Sequence, residues 1–325
     1  MNKQGPVKIG LIGLGKMGQN HLRVLSMLKS VDLGFIYDVN TDVMRESAGR
    51  YGVKPSENLE ADLKNVEAVF IVTPTTTHYD MIRRAGQCVK NIFVEKPLTE
   101  SVETTESICR FAAENTINLQ VGFIERFNPA IVELKKILQH NSPRVINIDF
   151  IRTNKLSNRI TDVDVIIDLM IHDIDLALYL NGEVKEVSVH GVMEEDLIVF
   201  AHSILTHTNG AFSSITASRV TEKRIRQINV TCDNMFIDCN LLRKELLVNR
   251  QTVNQLYRGV FLSSIEETIS VSSQEALLSE DSCFVDTIVS GGRNQEAANA
   301  LDSSSAIKVA QRVQTSIKEK YAASR

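Results

Sequence analysis

The sequence predicts a parallel α/β domain followed by an α+β domain built on a large, mainly antiparallel sheet. Three observations carry that prediction. At 325 residues the chain is long enough to bury two cores. Over residues 7–123 short apolar runs alternate with helical patterns, the texture of a parallel sheet covered on both faces. Beyond residue 127 the strand-like runs lengthen, and Asn209-Gly210 marks a tight hairpin between two of them.

Strands are expected at 7–14, 31–37, 66–72, 91–94 and 118–123, with helices at 17–28, 41–51, 79–89 and 101–114 between most of them. The domains are therefore drawn as 1–123 and 124–325. In the second, Asn128 caps a helix that carries Pro129 in its first turn. A strand at 144–152 and a very apolar helix near 165–180 follow. Further strands are expected at 184–193, 197–208, 211–219, 225–232 and 235–240, then helices near 273–289 and 299–320. There is no internal repeat.

Composition narrows the function classes. Hydrophobic residues make up 43%, and no apolar stretch reaches the length that spans a bilayer. The opening Met1-Asn2-Lys3-Gln4-Gly5-Pro6 has no apolar signal core, so a cytoplasmic protein is expected. Net charge is −4 with acids and bases interspersed, which argues against a nucleic-acid surface. The five cysteines, 88, 109, 232, 239 and 283, show no CxxC spacing. Neither a zinc site nor a disulfide framework is expected.

The first strand runs into Gly13-Leu14-Gly15-Lys16-Met17-Gly18. GxGxxG between a strand and a helix suits a dinucleotide. Gly13 makes the tight turn, Gly15 lets the pyrophosphate near the backbone, and Gly18 lets helix and strand pack. The helix N-terminus, with Lys16 and Met17, then faces the phosphates with free N–H groups. Asp38 ends the second strand 20 residues beyond Gly18. An acid there accepts from the ribose hydroxyls and repels a 2′-phosphate, so NAD is expected over NADP.

Two segments carry candidate chemistry. Glu95-Lys96-Pro97 ends a strand at the carboxyl edge of the first sheet, and Lys96 there can stabilise a developing alkoxide. Asp164, Asp168, His172 and Asp175 share one face of the apolar helix by i, i+4, i+3 spacing. An Asp/His stripe could also bind a metal, but alcohol oxidation by NAD needs only a hydride acceptor and a base. No metal is therefore expected.

At these residues the chain resembles the glucose–fructose oxidoreductase/inositol dehydrogenase (Gfo/Idh/MocA) family. The matching pieces are the glycine loop, Thr73-Pro74 with His78, Glu95-Lys96-Pro97, Val121-Gly122-Phe123 with Arg126-Phe127, and Asp168 with His172. The resemblance implies a Rossmann domain, an open-faced sheet domain and oxidation of a ring hydroxyl. It implies Lys96, Asp168 and His172 as catalytic residues, with the histidine as base. It adds Thr73, Pro74, His78 and Glu95 to the cofactor site. Within the family, Ile124-Glu125-Arg126-Phe127-Asn128-Pro129-Ala130 is most similar to the branch that oxidises the C3 hydroxyl of UDP-N-acetylglucosamine. The residues lean the same way: Arg126 with the helix start at Asn128, and Arg152, Lys155 and Arg159 in an acid-free loop, would suit a diphosphate. The chain departs from the pattern at Asp162-Val163-Asp164-Val165, where many members carry glycines. The alternatives are a dehydrogenase of an unactivated sugar or inositol and, from another class, a non-turning-over dinucleotide sensor, and the intact Lys96, Asp168 and His172 speak against the sensor. Ser and Thr on the outward alternation of 211–219 predict a sheet face that pairs in a homodimer or homotetramer.

Overall fold

The computed structural model describes residues 5–155, 163–256, 259–292 and 294–323. The chain divides into two units, Met1–Phe127 with Glu275–Ser305, and Asn128–Gln274 with Ala306–Arg325.

The first unit follows the alternation closely. Its elements are β1 (Val7–Ile12), α1 (Lys16–Met27), β2 (Val31–Tyr37), α2 (Thr41–Tyr51), α3 (Leu59–Leu63), β3 (Ala68–Ile71), α4 (His78–Ala85), β4 (Asn91–Glu95), α5 (Val102–Glu114) and β5 (Asn118–Gly122). The five strands lie parallel in the order β5-β4-β3-β1-β2. Residues Ala68–Ile71 are all buried because helices cover both faces. The order reverses between β1 and β3, so their carboxyl ends flank a crevice, the position where such sheets bind ligands. Helix α2 begins and ends where local chemistry requires. Asn40 accepts from the Asp42 and Val43 N–H groups, and Gly52 takes the left-handed conformation.

In the second unit, α6 (Pro129–Asn141) begins at the expected cap, where the Asn128 side chain accepts from the Ala130 N–H. Strand β6 (Val145–Lys155) leads to a π-helical turn, Ile166–Met170, that runs into α7 (Ile171–Asn181). Strands β7 (Val184–Glu194), β8 (Leu197–His207), β9 (Phe212–Ser218), β10 (Val220–Cys232), β11 (Met235–Asn240), β12 (Glu245–Leu256) and β13 (Gly259–Ile269) complete an eight-stranded sheet. Its order is β13-β12-β11-β10-β6-β9-β8-β7, antiparallel except for the β6–β9 pair. Burial alternates cleanly along β8, β9, β10 and β11. One face carries Ile148, Phe150, Ile215 and Ile228, all buried, with α6 and α7 against it. The opposite alternation leaves Ile204, Phe212 and Phe236 exposed.

The chain then returns to the first unit with α8 (Ala276–Ser290) and β14 (Ala298–Asn299), which pairs antiparallel with β5. Helix α9 (Ala300–Ala323) begins in that unit and continues into the second. There Gly191 leaves room for Ile317, and Lys320 donates to the Val189 carbonyl. The expected division at residue 123 therefore differs from the observed one. Phe284 and Val285 of α8 pack among Leu11, Phe70 and Phe93 of the first core, a contact remote in sequence that local patterns do not announce. Strands β12 and β13 were also not anticipated, because polar residues interrupt their alternation. All five cysteines are free. Among the described residues, no helix is long and apolar enough to cross a membrane.

Candidate functional site: a dinucleotide crevice and an Asp/His helix

The loop between β1 and α1 is shaped by steric limits. Gly13 has φ +96°, and a Cβ there would lie 2.5 Å from the Val72 carbonyl oxygen. A Cβ on Gly18 would approach the Gly13 carbonyl oxygen within 2.0 Å. At Gly15, by contrast, a Cβ would meet nothing within 4 Å. Gly13 and Gly18 are thus required by the backbone itself, while Gly15 opens onto space. Gly15 is also the N-cap of α1, which has no side-chain cap and no acid in its first turn. Lys16 and Met17 open the helix and are exposed. The turn therefore fits a pyrophosphate, which would complete the N–H groups that the helix leaves unmet.

Asp38 stands across the loop. Its Oδ2 accepts from the Leu14 N–H at 2.6 Å and its Oδ1 from the Asn40 N–H at 2.8 Å. The carboxylate fixes the turn and retains lone pairs for a ribose diol. We expect the native protein to use NAD better than NADP, and Asp38→Ser to narrow the ratio of kcat/KM values by at least about tenfold, or roughly 1.4 kcal/mol. Both activities should also fall, because Leu14 loses its acceptor. An unchanged ratio would remove Asp38 from cofactor choice.

Thr73 and Pro74 follow β3 on the same edge, and the Thr77 hydroxyl donates to Thr73 Oγ1 at 2.7 Å. His78 lies beneath this turn. It is 1% exposed, with Nδ1 3.0 Å from the Pro97 carbonyl and Nε2 2.9 Å from that of Thr73. Burial lowers its pKa against the opposing pull of those carbonyls. His78 therefore ties the turn after β3 to the one after β4. Glu95 likewise faces protein: one oxygen meets His21 Nε2 at 3.1 Å and the other accepts from the Lys96 N–H at 3.0 Å. Lys96 itself is half-buried at the strand end, before a cis peptide to Pro97.

In the second unit, the stripe drawn from regular α spacing is altered by the π-helical turn. Asp164 is the cap: its Oδ1 accepts from the Ile166 and Ile167 N–H groups at 3.0 and 3.2 Å, and its Oδ2 from Gln314 at 2.7 Å. An aspartate just ahead of an apolar run is a cap signal, and it could have been read from the sequence. Asp168 accepts at 3.0 Å from Arg219, a residue 5% exposed that also donates to the Val163 and Asp164 carbonyls. Arg219 went unrecognised, since nothing local links it to a helix 51 positions away. His172 opens α7, half-buried.

Two of the cations expected to meet a diphosphate have carboxylate partners. Arg152 is 3% exposed, and its Nε and Nη2 each lie 2.7 Å from the Asp173 carboxylate. Arg126 is 4% exposed and lies 3.5 Å from Asp302. Both guanidinium groups already meet carboxylates within their own units. The Asn128 side chain caps α6 by accepting from the Ala130 N–H. Arg159 and the Lys155 side chain lie outside the described residues.

A parallel sheet with a phosphate-shaped glycine turn at its switch point, in a chain that also carries a unit built on a broad antiparallel sheet, is the architecture of a dinucleotide-binding protein. Comparison with known proteins makes this specific. Residues 7–123 match the oxidoreductase family with NAD-binding Rossmann fold, and residues 143–237 its GFO/IDH/MocA C-terminal domain. The UDP-N-acetylglucosamine 3-dehydrogenase of Acidithiobacillus ferrooxidans is 29% identical over 288 residues, 87% of this chain and 88% of that one. Its solved structure superposes with a TM-score of 0.87 at 27% identity, covering 97% of this chain and 99% of that one. The uncharacterised oxidoreductase YrbE of Bacillus subtilis is 30% identical over 67% of this chain and 68% of its own length. The myo-inositol 2-dehydrogenase of Thermotoga maritima is 29% identical over 66% and 69%. The chain belongs to the GFO/IDH/MocA oxidoreductase family, and its cofactor is NAD.

Proposed function

We propose that the protein oxidises the C3 hydroxyl of UDP-N-acetylglucosamine to the ketone. The carrying observation is the extent of the likeness: similarity to the Acidithiobacillus enzyme runs through both units, whereas the inositol dehydrogenase matches about two thirds of the chain. NAD, when bound, supplies the hydride acceptor. His172 takes the hydroxyl proton, as an imidazole nitrogen, which can accept a proton and later return it, is suited to do. The Lys96 ammonium donates to the same oxygen as charge develops there. Asp168, held by Arg219 at 3.0 Å, accepts from the sugar or the imidazole. The test is NADH formation on a panel of UDP-sugars, free sugars and inositols, with UDP-N-acetylglucosamine expected to give the highest kcat/KM.

One observation favours a second reading. Arg126 and Arg152, two of the four cations expected for a diphosphate, are ion-paired with Asp302 and Asp173. An inositol or unactivated sugar makes no such demand, and a higher kcat/KM on it would establish that reading instead.

The reading places the enzyme in the cytoplasm as a homo-oligomer. The face that carries Ile204, Phe212 and Phe236 suits a second copy, because its β8 and β9 rows place Phe200, Ile204 and Phe212 among Thr206, Ser214 and Thr216. Ile204→Asp is expected to shift a dimer or tetramer to monomer in sedimentation at micromolar concentration. A native monomer would contradict this.

A further inference from the structure

Beneath the glycine loop of the first unit lies a buried polar group that the chemistry above does not use. His21, on α1 one turn beyond Gly18, is fully buried. Its Nδ1 lies 2.9 Å from Asp281 Oδ1, and its Nε2 lies 3.1 Å from Glu95 Oε1. Asp281, on α8, is fully buried too, and the Glu95 side chain is 13% exposed. Both ring nitrogens thus face carboxylates, a pattern only the doubly protonated ring can satisfy with two donated hydrogen bonds. Phe70 and Phe93 stack at 4.6 Å, and their rings stand 5.6 and 5.2 Å from the imidazole. Glu275 and Arg23 are the further charged groups that act on Asp281. Burial pulls the ring's pKa down, but the carboxylates on each side push it up to about 10, while burial raises Asp281 against the pull of His21, so the contact weakens as pH climbs through the ring's value.

Glu95 is the link to chemistry. Its second oxygen takes the backbone N–H of Lys96. Its carboxyl carbon lies where a Cβ on Gly122 would come within 3.2 Å, so the bare glycine lets it lie over β5. The chain from Asp281 through His21 and Glu95 to Lys96 joins three elements that diverge in sequence.

We propose that His21 is a positioning residue, an imidazolium clamped between Asp281 and Glu95 that fixes the backbone carrying Lys96. This rests on the assignment of Lys96 to the reacting hydroxyl. A residue that merely held the fold would alter stability and cofactor binding together. A positioning residue lowers turnover while NADH still binds, since misplacement by about 1 Å costs up to about 10²-fold in rate.

The test compares His21→Asn, Glu95→Gln and the double variant with the native protein. Thermal melting, NADH affinity by fluorescence and kcat are measured on whichever sugar or inositol the native protein turns over best. In parallel, reductive methylation with carbon-13 formaldehyde reports the Lys96 amine by NMR, assigned with Lys96→Met and needing no substrate. The expected result is NADH affinity within about threefold of native, kcat lower by about 10–10²-fold, a shifted Lys96 signal, and a double variant no worse than His21→Asn. Folded variants with native kcat and an unmoved Lys96 signal would overturn the proposal. So would losses of kcat no larger than those of NADH affinity. If His21→Asn does not fold, Glu95→Gln, which keeps shape and removes only charge, decides alone. If UDP-N-acetylglucosamine is no substrate, the function proposed above fails, while the Lys96 signal still tests His21.

Discussion

Replacing His172 by alanine should lower kcat by about 10²–10⁴-fold, the range of a lost general base, while NADH affinity stays near native. A ring alcohol must lose its proton as the hydride leaves carbon, or positive charge builds on the oxygen with nothing to neutralise it. His172 lies at the start of α7 in the second unit, and the glycine turn belongs to the first, so the two readouts should separate. Asp168 is less suited to the role, because its carboxylate already accepts from Arg219 at 3.0 Å. Turnover near native, with an unchanged pH–rate profile, would exclude His172 as the base and make Asp168 the next to replace.

Arg152→Met should destabilise the protein by about 3–5 kcal/mol, read from urea unfolding. The loss follows from what remains behind. Asp173 is 2% exposed, and without the two 2.7 Å contacts from Arg152 it is a buried charge with its main partner removed. Against a typical total stability of about 5–15 kcal/mol such a loss is large. Replacing both residues, as Arg152→Met with Asp173→Leu, should recover most of it, since an apolar pair of similar volume removes the desolvation cost from both sides. A loss under about 1 kcal/mol together with a raised KM would return Arg152 to the substrate.

These expectations show which parts of the molecule the sequence reveals. The glycine turn was legible because its constraints are local: Gly13, Gly15 and Gly18 answer to a single strand-to-helix connection, and Asp38 to the next strand end. Helix α2 was placed residue for residue, since Asn40 and Gly52 are its own start and stop signals. Partners distant in sequence were not legible. His21 meets Asp281 across 260 positions and Arg126 meets Asp302 across 176. Nothing in the local pattern distinguishes a guanidinium awaiting a phosphate from one already paired. Arg126 and Arg152 looked available for that reason. The π-helical turn was hidden by the same limit, because a run such as Ile166-Ile167-Asp168-Leu169-Met170 supports α spacing equally well.

The central claim is that hydride leaves C3 of UDP-N-acetylglucosamine for NAD, and it is tested most directly with substrate deuterated at that carbon. The account predicts deuterium in the reduced cofactor, a 3-keto sugar nucleotide as product, and a slower chemical step in single turnover than with the protiated sugar. Reduced cofactor free of deuterium, or no reaction while an inositol is oxidised readily, would contradict it.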